Sequence, residues 1–295
     1  MKAFEKLQLK AYAKVNISLD ITGLLDNGMH QVETIIHTIS LADTVLLEVN
    51  KKSKPDNKIS VSSDKYFIPT NEKNLAYRAA SVVLEDFSHI TEPIRINIHK
   101  VVPVGAGLGG GSGDAAATIR GLNQLLNLGL SGEKMENYAS KIGSDVPALL
   151  NKGAYLATGT GTQLNKISSL RNCKAVLVNP GVFISTKEVY SLYDTYAIPS
   201  DAHPDTAKIV DAMAREDYDC LVGELKNVLE IPVFTRHPRV AELKRELIKL
   251  GCDTALMSGS GSTVYGISKD IEKIEDIKKT YINKGYKAFV VDFIG

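Results

Sequence analysis

Apolar and polar residues alternate through 8–12 and again through 15–21, the period of a strand with one buried face. The chain therefore opens on one strand or on two closely joined ones. Leu25-Asp26-Asn27-Gly28 is a hairpin turn sequence, and 30–40, rich in Val, Ile and Thr, predicts the returning strand. Residues 43–49 continue the sheet, 50–57 read as a polar turn and 59–62 as a short strand. Then the period changes. Asn71-Glu72-Lys73-Asn74 predicts a helix start with 75–87 carrying the apolar face, and Ile94-Arg95-Ile96-Asn97-Ile98 is a clean alternating strand.

That strand delivers Lys100 and then Pro103-Val104-Gly105-Ala106-Gly107-Leu108-Gly109-Gly110-Gly111-Ser112-Gly113-Asp114, followed by an Ala-rich helical pattern over 115–126. Glycine lets backbone N–H groups come close to a ligand, and a helix N-terminus adds unsatisfied donors and partial positive charge. The combination is an anion cradle, most often for phosphate. No Lys follows the glycines, which excludes a Walker A loop. Gly105, Gly107 and Gly110 satisfy G-x-G-x-x-G. The helix behind them, however, runs through Gly129 to Gly132 into another helical pattern, where a dinucleotide fold needs a second strand. The protein-kinase set of V-A-I-K, H-R-D and D-F-G is missing. A bare flexible linker would not feed straight into an Ala-rich helix.

Beyond the loop, 130–142 predicts a helix and 153–157 a strand, with a Thr/Gly loop at 158–162. Between them, Ser144-Asp145 before Val146-Pro147 is a helix-start signature, so Asp145 is either an N-cap or a catalytic carboxylate. A second unit begins near Lys166. It predicts strands at 175–179, 254–257, 263–267 and 287–291, with a glycine turn at 258–262. Helices are expected at 185–193, 206–215 (capped by His203-Pro204-Asp205), 221–230, 238–250 and 271–282. Strands, helix, strand, loop and helix in this order make an α+β pattern, not a doubly wound one.

Composition narrows the class. With 35 basic and 34 acidic residues among 295, the net charge of +1 offers no bulk attraction for nucleic acid or an anionic membrane. No apolar run has the length of a membrane span, and the first ten residues lack a signal-peptide core. Cys173, Cys220 and Cys252 are widely spaced and predict free thiols in a reducing cytoplasm, with neither a disulfide framework nor a zinc site.

Three stretches stand together: Ala13-Lys14-Val15-Asn16, the 103–114 loop, and Ser258-Gly259-Ser260-Gly261-Ser262-Thr263. The set resembles the GHMP kinases, the small-molecule kinases of galactose, homoserine, mevalonate and phosphomevalonate. Gly143-Ser144-Asp145-Val146-Pro147, Pro180-Gly181-Val182, His203-Pro204-Asp205-Thr206 and Asn227-Val228-Leu229-Glu230 are similar to its members that act on a cytidine diphosphate-linked polyol. The resemblance covers essentially the whole chain. It implies a two-domain α+β GHMP kinase fold. Residues 1–163 would form an ATP-binding domain like the second domain of ribosomal protein S5, and 164–295 a ferredoxin-like domain.

It also implies ATP and Mg²⁺ as cofactors, with Lys14 and Asp145 as the catalytic pair. Asn74 and Lys100 match positions beside adenine. Pro103, Val104, Gly105, Ala106, Gly107, Leu108, Gly109, Gly110, Gly111, Ser112 and Gly113 match the nucleotide loop. Asn16, Met29, His30, Thr186 and Tyr190 match positions near the cytidine and polyol groups. The expected enzyme is cytoplasmic, a monomer or weak homodimer, with a small-molecule partner and neither nucleic acid nor membrane. Two residues depart from the family pattern. Met29 stands where an aromatic residue is usual, and Gly113 where Ser or Ala is common. Met29 keeps open a kinase of another small alcohol. A silent nucleotide-binding relative is the third reading, and Lys14 with Asp145 argues against it.

Overall fold

The computed structural model describes residues 4–50 and 58–295, so the expected turn beyond Asn50 lies outside the described residues. The first two strands are longer than the alternation alone predicts. β1 (Phe4–Leu24) and β2 (His30–Asn50) each run unbroken for 21 residues and pair with one another. The turn between them is closed by Leu25 N–H to Met29 O at 2.8 Å and Gly28 N–H to Leu25 O at 2.9 Å. Gly28 takes φ +78°, the left-handed conformation that the Asn-Gly pair supplies.

Contacts divide the chain into two compact units. Unit 1 comprises Met1–Ala13, Ala42–Val102 and Gly109–Asn151; unit 2 comprises Lys14–Leu41, Pro103–Leu108 and Lys152–Gly295. In unit 1, β3 (Ile59–Ser63) lies parallel to β4 (Ile94–His99), and β4 is antiparallel to residues 44–49 of β2. Strict alternation on β4 sends Ile94, Ile96 and Ile98 into the core. Helices α1 (Leu75–Glu85), α2 (Gly110–Leu125), α3 (Gly132–Ser140) and α4 (Asp145–Leu150) cover that face. The small Ala115, Ala116 and Ala117 of α2 and Ala76, Ala79 and Ala80 of α1 line the shared core. At Gly121 a Cβ would meet Leu47 Cδ1 at 2.3 Å and Leu9 Cδ1 at 2.8 Å, so both leucine side chains pack into the space that glycine leaves.

In unit 2, residues 34–37 of β2 pair antiparallel with β5 (Ala154–Thr158), which pairs with β6 (Gln163–Ile167). A separate antiparallel sheet runs β10-β7-β9-β8, from β7 (Lys174–Asn179), β8 (Thr254–Met257), β9 (Val264–Ser268) and β10 (Lys287–Asp292). The helices of this unit are α5 (Thr186–Tyr193), α6 (Thr206–Ala214), α7 (Tyr218–Glu224), α8 (Glu230–Arg236), α9 (Pro238–Lys249) and α10 (Ile271–Asn283). Its apolar core joins Val176 and Val178 to Val240, Leu243, Leu247, Ile274 and Ile277.

The expected α+β class stands, with three local corrections. β6 is a strand that sequence alone misses, because Gln163-Leu164-Asn165-Lys166-Ile167 buries no residue fully and shows no apolar period. The expected helix over 221–230 is two helices, α7 and α8. Asn227 separates them: its Oδ1 accepts the Leu229 N–H at 3.0 Å, while its Nδ2 donates to two carbonyls of the 254–263 hairpin. α2 begins at Gly110, five residues ahead of the Ala run, so much of the glycine segment is helical.

Candidate active site

Unit 2 gathers Lys14, Asn16, the first half of the glycine segment and the Ser258–Thr263 turn. Lys14 is buried in β1, where a solvated surface lysine would be exposed, and its Nζ donates to Asn16 Oδ1 at 2.5 Å. Asn16 Nδ2 donates in turn to Thr34 Oγ1 at 2.8 Å, and Thr34 Oγ1 to the Ser18 carbonyl at 2.5 Å. A short chain of side chains therefore fixes the direction of the ammonium. The Lys14 N–H donates to Leu108 O at 3.0 Å, which pins the glycine segment to β1. Ser258 Oγ donates to Gly107 O at 2.8 Å and Thr263 N–H to Ala106 O at 3.3 Å. A Cβ on Gly259 would stand 3.2 Å from Lys14 Nζ and 3.1 Å from Asn16 Oδ1. Thr186 Oγ1 and Ser260 Oγ share a hydrogen bond of 2.9 Å.

The expected polyol-and-base residues cluster in part. His30 Nε2 is 2.7 Å from Asp194 Oδ1, and the His30 ring lies 5.0 Å from that of Tyr190 and 6.3 Å from that of Tyr193. Met29 is half exposed on the hairpin turn.

Unit 1 holds the rest. Gly109 caps α2 in the left-handed conformation (φ +65°) with no side-chain cap. Gly113 N–H donates to Gly109 O at 2.8 Å, so the N–H groups ahead of it, at Gly110, Gly111 and Ser112, are the orphan donors of the helix start. Asp145 is the first residue of α4, and Ser144 ahead of it is already helical and makes no side-chain cap hydrogen bond. Asn74 is an N-cap: Oδ1 accepts Ala76 N–H at 2.9 Å and Nδ2 donates to Pro69 O at 2.7 Å.

Lys100 points inward. Its side chain is 4% exposed, with Nζ on Asp43 Oδ2 and, at 2.7 Å, on Asp114 Oδ2. Burial pushes the Asp114 carboxyl up to about 7 against the pull of Lys100. Burial works against the Lys100 ammonium too, but Asp114 and Asp43 outweigh it and raise its pKa.

Sequence reasoning passed over Thr34, Asp43, Asp114, Asp194, Asn227 and Ser258 as single residues. Asp43 and Asp194 carry no local signal, since their partners are distant in the chain.

The GHMP kinases N terminal domain matches residues 74–153, and the GHMP kinases C terminal domain matches 207–288. The chain is 42% identical over 268 residues to the 4-diphosphocytidyl-2-C-methyl-D-erythritol kinase of Bacillus velezensis, covering 91% of this chain and 90% of that one. The Bacillus subtilis protein of the same name is 40% identical, over 91% and 90%. A solved 4-(cytidine 5'-diphospho)-2C-methyl-D-erythritol kinase superposes with a TM-score of 0.77 at 28% identity, covering 98% and 99%. The homoserine kinase of Cytophaga hutchinsonii shares the fold, with a TM-score of 0.77 at 20% identity and coverage of 100% and 96%.

Proposed function

The chain belongs to the 4-diphosphocytidyl-2-C-methyl-D-erythritol kinase family of the GHMP kinases, and from that premise we propose which of its atoms move the γ-phosphoryl group of ATP. The enzyme is a small-molecule kinase, and its acceptor is the 2-hydroxyl of 4-diphosphocytidyl-2-C-methyl-D-erythritol, in non-mevalonate isoprenoid synthesis. One observation carries the assignment of roles. Lys14 is held by Asn16 and by Leu108 O at the place where β1, the glycine segment and the Ser258–Thr263 turn meet.

Phosphoryl transfer asks for positioning and neutralisation more than for covalent catalysis. The substrate hydroxyl oxygen forms the new bond to the γ-phosphorus as the bond to the β-phosphate bridging oxygen breaks. The hydroxyl proton passes to the Asp145 carboxylate, and ADP leaves with the electron pair. Lys14 neutralises charge on the transferring group as it develops. The N–H groups of Gly110, Gly111 and Ser112, with the preceding residues Pro103 to Gly109, take the phosphates, and Asn74 stands on the adenine side. Asn16 and Thr186 orient the polyol, while Met29, His30 and Tyr190 meet the base.

Among the described residues no group of three or more His, Cys, Asp or Glu side chains could cage a metal. Mg²⁺ is usually held by one or two carboxylates together with substrate phosphates, and Asp145 with Ser112 would hold it here. When bound, the ion would supply charge neutralisation at the phosphates. The reading divides the chain at 163/164. It takes the enzyme to be cytoplasmic and a monomer or weak homodimer, with no nucleic-acid or membrane partner. Among the described residues no helix is long and apolar enough to cross a membrane.

The test is ADP release with the cytidine substrate, mevalonate and homoserine in parallel, for wild type and Asp145→Asn. Release with the cytidine substrate alone is expected, falling by roughly 10²-fold in the variant. Turnover of another alcohol would favour the second reading, for which half-exposed Met29 is the motive. Unchanged turnover in Asp145→Asn would remove that residue from the chemistry.

A further inference from the structure

The chain leaves unit 1 after Val102, at the entry to the glycine segment, and is back in unit 1 from Gly109 to its exit at Asp114; the unit 1 residues at both ends meet the same buried charges. At the entry, Asp43 Oδ1 accepts the N–H groups of Val101 at 2.5 Å and Val102 at 2.8 Å. The next residue is Pro103. At the exit, Asp114 lies in the second turn of α2, and its Oδ2 accepts from Lys100 Nζ at 2.7 Å. Lys100 Nζ also donates to Asp43 Oδ2, so one ammonium links the carboxylate of the entry to that of the exit. A Cβ on Gly110, the first residue of α2, would stand 3.0 Å from Val102 Cγ1 and 3.4 Å from Lys100 Nζ. The start of the helix therefore packs directly on this cluster.

A buried ion cluster is a poor way to gain stability, since apolar packing of similar volume does as well or better. This one carries a further disadvantage: two carboxylates face one ammonium, and Asp114 Oδ1 is buried with no partner. What the cluster does supply is direction, because each contact fixes a backbone or helix position on one side of the loop.

We propose that Asp43, Lys100 and Asp114 are positioning residues, a buried staple that holds the two ends of the glycine segment in register so that its amide groups are set for phosphate. The proposal rests on the reading of that segment as the nucleotide site, and it turns Lys100 from a contact with the base into a residue acting through the loop. The charged groups facing the staple are Asp43 from β2, Lys100 after β4, Asp114 from α2 and Asp64 after β3. Asp64 Oδ1 accepts the Lys100 N–H at 2.8 Å, while its other oxygen holds Lys65 and His99.

The experiment is calorimetric titration of ATP with Mg²⁺ into wild type, Asp114→Asn and Asp43→Asn, each checked for native circular dichroism, at pH 6 and pH 8.5. Loss of a charged hydrogen bond should weaken ATP binding about tenfold at pH 8.5 in either variant, with the KM for the alcohol substrate changed less than about twofold. For Asp114→Asn the ratio of variant to wild-type Kd, in which the titration of the nucleotide cancels, should fall towards one at pH 6. There the wild-type carboxyl is protonated as well. Asp43→Asn keeps the proposal falsifiable if Asp114→Asn does not fold. Equal ATP affinity in wild type and the folded variants would overturn the staple alone. Tighter binding in Asp114→Asn would also overturn it, showing that the cluster acts through its charge. No binding by wild type would overturn the nucleotide reading together with the staple.

Discussion

The Ser258 hydroxyl donates to the carbonyl oxygen of Gly107 at 2.8 Å, and a Cβ built on Gly107 would stand 2.0 Å from the Ser258 carbonyl oxygen. Two glycine-rich turns 151 residues apart thus pack backbone on backbone. Gly107 also takes φ +77°, where an L side chain is strained by about 1–2 kcal/mol before any clash.

Gly107→Ala should therefore weaken nucleotide binding at least tenfold and lower the melting temperature. Ser258→Ala removes one hydrogen bond, worth about 1 kcal/mol, and should do far less. Nucleotide titration and thermal unfolding of both variants check this. Equal effects would mean that the close approach at Gly107 is not what holds the turns together.

Gly113 is the second departure from the family pattern, and its reason is spatial. A Cβ there would lie 2.4 Å from the Tyr12 carbonyl oxygen, within unit 1. In an open helix Gly113→Ala would stabilise by about 1 kcal/mol. Here overpacking against backbone costs about 1–3 kcal/mol, so a net loss of stability is expected. A denaturant midpoint at or above that of wild type would contradict the account.

The glycine segment, the Asn74 cap and the alternating β4 were legible because each rests on residues adjacent in the chain. The hairpin at Asn27-Gly28 was legible for the same reason. Asp43, Asp194 and Asn227 were not, since each acts on residues from about 30 to over 160 positions away. Lys14 shows the limit from the other side. A lysine in a strand is ordinarily a solvated charge, and the distant 103–108 and 258–263 segments are what pack around this buried one.

Two buried groups give opposite pH dependences of stability. His37 is buried, with Nδ1 at 2.9 Å from Thr38 O and the Leu170 N–H donating to Nε2 at 2.9 Å. The ring is thus neutral with its proton on Nδ1, and burial lowers its pKa from 6.5 to about 4. Between those values the unfolded chain binds the proton and the folded one does not. Stability is lost as pH falls, by up to about 3 kcal/mol. Asp114, raised to about 7, does the reverse: the folded state keeps a proton that the unfolded chain has released, so its contribution is lost as pH rises from about 4 to 7. Urea midpoints at pH 7, 5.5 and 4.5 should fall more steeply with acid in Asp114→Asn than in wild type. In His37→Gln they should fall less or even rise. Parallel curves for the three proteins would show that neither group carries the linkage.

The last prediction concerns the base. His30 donates Nε2–H to, or is ion-paired with, Asp194 Oδ1, which leaves Nδ1 to meet a ligand, and the Tyr190 ring stands 5.0 Å away at 51°. Base–aromatic stacking is worth about 1–3 kcal/mol, so Tyr190→Ala should raise the KM for the cytidine substrate by about tenfold or more. Turnover should change less, because the base is remote from the reacting hydroxyl. Met29, half exposed on its turn, offers only a flexible thioether. Met29→Tyr would present a flat face in its place. Part of the contact is already made by methionine, so a fall of only a few-fold in KM is expected. His30→Ala should act on selectivity, narrowing the preference for cytidine over uridine at the edge of the base. Steady-state kinetics with both nucleotides decide the matter. If none of the three substitutions moves KM or selectivity, the base is read elsewhere, and Met29 marks a kinase whose acceptor carries no cytidine.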